Sequence, residues 1–277
     1  MNIEEIITRA LEEDTGDGDH TSLATIPEGH TVKARLIVKD HGVICGVDLA
    51  GKIFHQVDPS LLIEIFLKDG DSVVPGQVAF TVTGNPASIL RSERLVLNFM
   101  QRLSGIATAT RRAVSLLRGL PTRVLDTRKT TPLLRELEKY AVRTGGGENH
   151  RMGLYDMIMI KDNHVDYAGG IIQAIEATQR YLDKTGKDLK VEIEVRNFSE
   201  LQEVLDHGGV DRIMLDNFTV EDLAEAVRRI GGRFETEASG GITPETLRTY
   251  AETGVDFISM GALTHHIQSL DLSLKAG

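Results

Sequence analysis

Leu189-Lys-Val-Glu-Ile-Glu-Val195, Arg212-Ile-Met-Leu-Asp216, Phe234-Glu-Thr-Glu-Ala-Ser239 and Phe257-Ile-Ser-Met260 are short strand-like runs separated by amphipathic stretches of helical period. Arg123–Asp126 and Met157–Lys161 precede them in the same rhythm. Repeated strand-then-helix units of this length argue for a parallel sheet covered by helices. The polar residues separate a barrel from an open sheet. Nearly every run ends in a chemically capable group: Asp126 leading into Arg128-Lys129, Lys161-Asp162, Glu194, Asp216-Asn217, Ser239-Gly240 and Gly261. Functional groups at the C-terminal ends of successive parallel strands are the pattern of a TIM-type barrel, whose strand ends build one mouth. Six strong strands are visible, so the expectation is an α/β fold with an incomplete TIM-like barrel. In Val191–Val195, Glu192 and Glu194 share a face, as do Glu235 and Glu237 in the next acidic strand. Carboxylates on an inner face require cations, and the Lys and Arg at the mouth are expected to supply them.

The connecting helices carry readable signals. Thr131-Pro132 and Thr243-Pro244 place an N-cap before proline at the first helical position. Ser199 with Gln202 reads as a capping box, and Gly231-Gly232 closes the helix carrying Leu223, Val227 and Ile230. Upstream the pattern is mixed. Ile3, Ile6, Ile7, Ala10 and Leu11 form a helical stripe ended by the acidic turn Glu12–Asp19. Strand-like runs follow at Thr31–Val38, Leu61–Leu67 and Val78–Val82, with a helical stretch near Asp48–Val57. Lys68–Gln77 resembles the turn region of biotinyl and lipoyl carrier domains, but no lysine stands where a carrier hairpin presents one, so it reads as structural. A long helical segment runs from Ala87 to Leu117, where Gly105 is expected to break or kink it. The expected organisation is a smaller mixed α/β N-terminal domain, 1–104, joined by the tail 267–277, and a catalytic barrel, 105–266.

Composition limits the function. The chain of 277 residues carries a formal charge of −10 and no Trp, which argues against nucleic acid or an anionic membrane as partner. Cys45 is the only cysteine, which excludes an internal disulfide and a cysteine-based zinc site. No apolar run approaches membrane-spanning length, and Met1-Asn-Ile-Glu-Glu5 has neither a basic nor an apolar leader region. The expectation is a soluble cytoplasmic protein.

Against that acidic balance, 126–164 gathers Arg128, Lys129, Arg143, His150, Arg151 and Lys161 among Gly, Thr and Asn. These are loop residues, not the i, i+4 spacing of a solvated helix face. Arg forks suit carboxylates, Lys supplies a point charge, and Gly exposes backbone N–H groups, so the segment reads as a site for a small polyanion. Gly145-Gly-Gly147 is either a flexible loop or a point of close approach to that anion. Glu194 and Asp216 are either barrel salt-bridge members or, with a polyphosphate, ligands for Mg²⁺. Ser239-Gly-Gly241 and Gly261-Ala-Leu263 resemble the late-strand phosphate cups of TIM barrels. His265 beside them reads as a polar contact, and His20, His30 and His266 as surface histidines. Walker and dinucleotide-binding fingerprints are absent.

Taken in order, Glu93-Arg94 with Asn98, Leu103–Thr108, Asp126–Thr130, Tyr140–Gly147, Asn149–Arg151, Ile160–His164, Leu215–Asn217, Ser239–Gly241 and Gly261–His265 closely resemble the quinolinate phosphoribosyltransferase family, also called nicotinate-nucleotide pyrophosphorylase (carboxylating). The resemblance spans nearly the whole chain. It implies a homodimer, or an assembly of dimers, that makes nicotinate mononucleotide, CO₂ and pyrophosphate from quinolinate and phosphoribosyl pyrophosphate with Mg²⁺. It implies that Arg128, His150, Arg151 and Lys161 hold the quinolinate carboxylates, joined by Arg94 from the partner subunit. Lys129 would reach the pyrophosphoryl donor. Glu194 and Asp216 match the catalytic, metal and ribose positions, with Glu192 the alternative to Glu194. Ser239, Gly240, Gly261 and His265 match the 5′-phosphate cup. Three other readings compete: a Schiff-base aldolase or decarboxylase with Lys161 or Lys129 as nucleophile, a polyanion-binding regulator, and the family's molybdenum-transport-associated relative.

Overall fold

The computed structural model describes residues 2–27 and 29–277. In chain order the elements are α1 (Ile3–Thr15), α2 (His20–Thr25), β1 (Val32–Val38), β2 (Gly42–Val43), α3 (Val47–Val57), β3 (Leu62–Ile65), β4 (Ser72–Val73), β5 (Val78–Gly84) and α4 (Pro86–Leu116). Then follow β6 (Arg123–Leu125), α5 (Arg135–Gly145), β7 (Ile158–Ile160), α6 (Asp162–Ala168), α7 (Ile171–Thr185), β8 (Val191–Val195), α8 (Phe198–His207) and β9 (Arg212–Asp216). The chain closes with α9 (Val220–Ile230), β10 (Glu235–Ser239), α10 (Pro244–Ala251), β11 (Phe257–Ser259), α11 (Ala262–His265) and β12 (Leu272–Ala276). These form two units, 1–111 with 130–146 and 263–277, and 112–129 with 147–262. The segment 130–146, which holds α5, thus groups with the N-terminal unit although it lies inside the stretch 105–266.

The first unit is built on an antiparallel sheet ordered β12-β1-β5-β3, in which the C-terminal strand pairs with β1 from Ala34↔Ala276 to Val38↔Leu272. Its apolar interior includes Leu36, Val38, Phe80 and Val82 from the sheet and Ile53 and Phe54 from α3, with Phe54 and Phe80 edge to face at 5.9 Å. The segment 68–77 contributes only the two-residue strand β4, paired with β2. Helix α4 is continuous for 31 residues and runs through Gly105 without a break. The expected break is therefore corrected. A Cβ at Gly105 would collide with the backbone carbonyl of Gln268, so the glycine admits a crossing chain within a continuous helix.

The second unit is a six-stranded parallel sheet ordered β6-β11-β10-β9-β8-β7. Its first strand pairs with its last, so the sheet curls back on itself, while β6 and β7 are the two ends and do not pair. That is the incomplete α/β barrel expected from six strands. All five residues of β8 are buried, which leaves Glu192 and Glu194 facing protein. Its helices begin and end where local chemistry dictates. Thr219 caps α9 by accepting the Asp222 N–H, Glu221 and Asp222 fill the first turn, Arg228 and Arg229 the last, and Gly231 ends it at φ 59°. Thr243 and Pro244 open α10 as expected. Two other expected caps are corrected. Helix α8 is capped by Asn197, whose side chain accepts from the Glu200 N–H, so Ser199 lies inside the helix. Thr131-Pro132 forms a turn, with Leu134 N–H donating to the Thr131 carbonyl, and α5 starts only at Arg135.

Candidate active site

Within the second unit, the loop after β6, the segment after Gly147 and the ends of β7, β10 and β11 enclose a cavity of about 320 Å³. Thr127, Arg128, Lys129, His150, Arg151 and Lys161 line it together with Met159, Met214, Glu237, Ser239 and Ser259. Five expected binding or catalytic residues, Arg128, Lys129, His150, Arg151 and Lys161, therefore converge, with Ser239 at the rim. Asp126 organises this convergence. It is fully buried at the end of β6, and its carboxylate accepts the His150 N–H at 2.9 Å. That bond holds the His150–Arg151 segment beside the Arg128-Lys129 loop. The Arg151 side chain is buried, and its Nη1 donates to the Met157 carbonyl at 3.2 Å. Burial lowers the Arg151 pKa and the neighbouring Arg128 charge lowers it further. Two guanidinium groups held this close are stabilised by an anion between them.

Lys161 ends β7 and caps α6, and its Nζ lies 3.1 Å from Oε2 of Glu194 on β8. Burial raises the Glu194 pKa, Lys161 opposes that shift, and Asp216 and Asp162 add to it. Asp216 stands at the end of β9, where its Oδ2 accepts from Asn217 Nδ2 at 2.6 Å. Gly240 follows β10 at φ 102°, and a Cβ there would collide with the Asn217 side chain, which itself has φ 56°. Gly240 is thus required by the crossing of two strand-end loops. Gly261 follows β11. Glu194, Asp216, Gly240 and Gly261 sit at strand ends of the same sheet but outside the lining of the cavity.

Arg94 and His265 belong to the first unit. Arg94 is exposed on α4, and among the described residues it makes no ion pair, including with Glu93. His265 is exposed and packs edge to face on His266, with ring centroids 4.5 Å apart.

Two readings of the basic segment are corrected. Arg143 lies on α5 and not on a loop. Gly145 and Gly146 end that helix: a Cβ at Gly145 would stand 2.5 Å from the Ala107 carbonyl, and Gly146 takes the left-handed conformation at φ 98°. Arg111 caps the same end by donating to the Thr144 and Gly145 carbonyls. Helix packing accounts for these two glycines.

The sequence reading also missed a layer beneath the cavity. His150 Nε2 lies 2.9 Å from Glu192 and 3.4 Å from Glu237, both fully buried. Arg212, at the start of β9, reaches Glu237 at 3.2 Å and Glu235 at 2.9 Å. The inner carboxylates are therefore met by His150 and Arg212 and not by the lysines and arginines of the mouth, apart from Lys161 at Glu194. Burial raises both glutamates. At Glu192 the charge of Glu237 adds to it and the pKa is about 7, whereas at Glu237 hydrogen bonds from His150 and Ser259 win and the net shift is downward. At His150 burial opposes charge and the two carboxylates favour it. The Arg151 N–H, 2.7 Å from Nδ1, opposes a second proton. That contact already uses the Nδ1 lone pair, so the geometry holds the ring as the Nε2–H tautomer. The alternation of glutamates in β8 and β10 was the available signal; burial alone reveals that Glu192 and Glu237 face inward.

Residues 19–104 match the N-terminal domain of quinolinate phosphoribosyl transferase, and residues 106–275 match its C-terminal domain. The chain is 47% identical over 289 residues to the chloroplastic nicotinate-nucleotide pyrophosphorylase [carboxylating] of Arabidopsis thaliana, covering 99% of this chain and 82% of that one. It is 40% identical over 274 residues to the probable nicotinate-nucleotide pyrophosphorylase [carboxylating] of Bacillus subtilis, covering 99% and 93%. The crystal structure of NadC from Streptococcus pyogenes superposes with a TM-score of 0.94 at 38% identity, over 99% of this chain and 95% of that one. Two domain matches in order, and relatives whose similarity covers 99% of this chain, agree with the barrel and its basic cavity: the chain belongs to the quinolinate phosphoribosyltransferase family.

Proposed function

We propose how the residues of this chain divide the work of its family's reaction, the transfer of the phosphoribosyl group to quinolinate with decarboxylation, which yields nicotinate mononucleotide, CO₂ and pyrophosphate for NAD biosynthesis. The observation that carries the reading is the convergence of Arg128, Lys129, Arg151 and Lys161 on one cavity of an acidic chain. Its volume suits a small ring bearing two carboxylates. Arg128, Arg151 and Lys161 grip those carboxylates, His150 walls the cavity beside them, and Lys129 faces the pyrophosphoryl group. Ser239, Gly240 and Gly261, at the ends of β10 and β11, receive the 5′-phosphate.

No protein nucleophile is needed. The quinolinate nitrogen forms a bond to the anomeric carbon as the bond to pyrophosphate breaks, and the protein contributes orientation and charge stabilisation. Once the nitrogen is quaternary, the bond to the 2-carboxylate breaks, CO₂ leaves, and the electron pair held beside the cationic nitrogen takes a proton. Glu194 and Asp216 face the ribose as positive charge develops there. An ion-paired Lys161 is a poor imine-forming nucleophile, which weighs against the Schiff-base alternative.

Glu194 and Asp216 also fit Mg²⁺. Burial and the charge of Asp216 raise the cost of ionising Glu194, and Mg²⁺ takes one or two carboxylates with waters and substrate oxygens. When bound, the ion would neutralise charge on the pyrophosphate. The working unit in this proposal is a homodimer that brings Arg94 to the partner's site, supported by an exposed arginine with no ion pair of its own. Among the described residues no helix is long and apolar enough to cross a membrane. A cytoplasmic location belongs to the same proposal, supported by the lone buried Cys45.

Incubating the protein with Mg²⁺, quinolinate and phosphoribosyl pyrophosphate should yield nicotinate mononucleotide. Nicotinate, with one carboxylate, should turn over at least a hundredfold less efficiently, because it leaves buried cations unpaired. Full activity in excess chelator would sink the metal assignment, and equal efficiency with nicotinate the dicarboxylate one.

A further inference from the structure

The cavity presents a carboxylate to a substrate that is itself a dianion. Glu237 lines it, yet Glu237 is fully buried behind the cationic residues. A buried carboxylate against an anion site is costly unless it serves the groups around it. Its contacts show which groups those are. Glu237 and Glu192 both converge on Nε2 of His150, at 3.4 and 2.9 Å. On the opposite edge of that ring, Nδ1 accepts the backbone N–H of Arg151 at 2.7 Å. Behind Glu237 stands Arg212, whose guanidinium lies 4.0 Å from the Phe257 ring centroid, and Arg123 lies 4.1 Å from the same centroid. A continuous buried polar column therefore runs from the start of β9 through Glu237 and the imidazole to the main chain of Arg151.

We infer that Glu237, acting with Glu192, is a positioning residue for substrate capture: the two carboxylates hold the His150 ring by Nε2, which leaves Nδ1 to take the Arg151 N–H and so sets the Arg151 guanidinium in the cavity wall. This rests on the reading of the cavity as the quinolinate site. The logic is one of tautomers. A ring protonated at Nδ1 would point a donor at the Arg151 N–H, and the loop would have to move. Acceptors at Nε2 favour the proton there over one on Nδ1, and the strands supply two. Three such groups also resemble a metal cluster, but Arg212 already supplies a positive charge to one carboxylate oxygen of Glu237 at 3.2 Å.

The test uses the full-length protein in three forms, wild type, E237Q and E237A, each checked for an unchanged circular dichroism spectrum. The expected result for E237A is a quinolinate KM raised at least tenfold, with the KM for phosphoribosyl pyrophosphate within twofold of wild type. E237Q retains an oxygen for Nε2–H and should bring quinolinate KM back to within threefold. Histidine-labelled wild-type protein should show His150 by ¹⁵N NMR as the Nε2–H tautomer, with the signal assigned by its loss in H150Q. A wild-type ring carrying its proton on Nδ1 overturns the inference, as does one equivalent of tightly held transition metal in purified protein. Parallel rises in both KM values, or none in a folded E237A, overturn it too. If E237A does not fold, E237Q and the wild-type spectrum still decide. The spectrum requires no turnover, so failure of the wild type to make nicotinate mononucleotide would sink the functional reading and leave the positioning question separately answered.

Discussion

Lys161 and Glu194 meet at 3.1 Å across the ends of β7 and β8, with the ammonium side chain 45% exposed and the carboxylate side chain only 8%. The lysine thus looks two ways, toward the cavity that it lines and toward the strand-end carboxylates beyond it. Its partner Arg151 on the cavity wall is buried and needs the substrate more.

Replacing Arg151 or Lys161 by Ala should weaken quinolinate binding by about 1.5–3 kcal/mol each, the range for a hydrogen bond to a charged group. Binding of phosphoribosyl pyrophosphate should change far less. Calorimetry with each ligand alone distinguishes the two, and unchanged quinolinate affinity in both variants would remove these residues from the carboxylate site.

Arg94 and Lys129 should complement one another across a dimer. Arg94→Ala and Lys129→Ala homodimers are each expected to be nearly inactive. Mixing them should restore activity, because one site in each mixed dimer receives both intact residues. Mass spectrometry confirms the mixed species, and its inactivity would show that the site is not shared.

Gly105→Ala sets two effects of opposite sign against each other. Alanine favours a helix interior by about 1 kcal/mol over glycine. The added Cβ meets the Gln268 carbonyl and, at 3.1 Å, the Ser269 Cα, both backbone groups that yield only if the crossing chain moves. Overpacking of this kind costs about 1–3 kcal/mol, so the net expectation is destabilisation. Denaturant unfolding of the variant should show a lower midpoint; a higher one would mean that the tail simply shifts.

Cys45 makes stability pH-dependent at the alkaline end. Burial, aided by the charge of Asp69, moves its thiol from 9.0 up to about 12. Below pH 9 the thiol is neutral in both states and contributes no slope. As pH rises from 9 toward 12 the unfolded chain loses the proton and the folded one keeps it, so stability falls. Tyr140, whose hydroxyl is also raised by burial and donates to Asp69 at 2.7 Å, acts in the same direction. Melting temperatures across pH 8–11 should drop less steeply in Cys45→Ala than in wild type.

The sequence determined the features that depend on neighbours in the chain. Alternation and strand-then-helix spacing placed all six parallel strands to within a residue or two, and Thr243-Pro244 and Gly231 marked helix ends because capping is local chemistry. The run of cations from Arg128 to Lys161 located the cavity, since charge of one sign crowded into an acidic chain needs an anion. Tertiary structure decided the rest. Gly105 read as a helix breaker because its reason, a chain segment more than 160 positions away in sequence crossing at that point, leaves no local mark. Gly145-Gly-Gly147 read as a flexible loop or an anion approach because loops, anion sites and helix packing all favour glycine, and only the approach of Ala107 to Gly145 separates them. Glu192, Glu237 and Arg212 became a layer beneath the cavity only when curling of the sheet turned one face of three strands inward, where unpaired charge is costly and each carboxylate must find its cation.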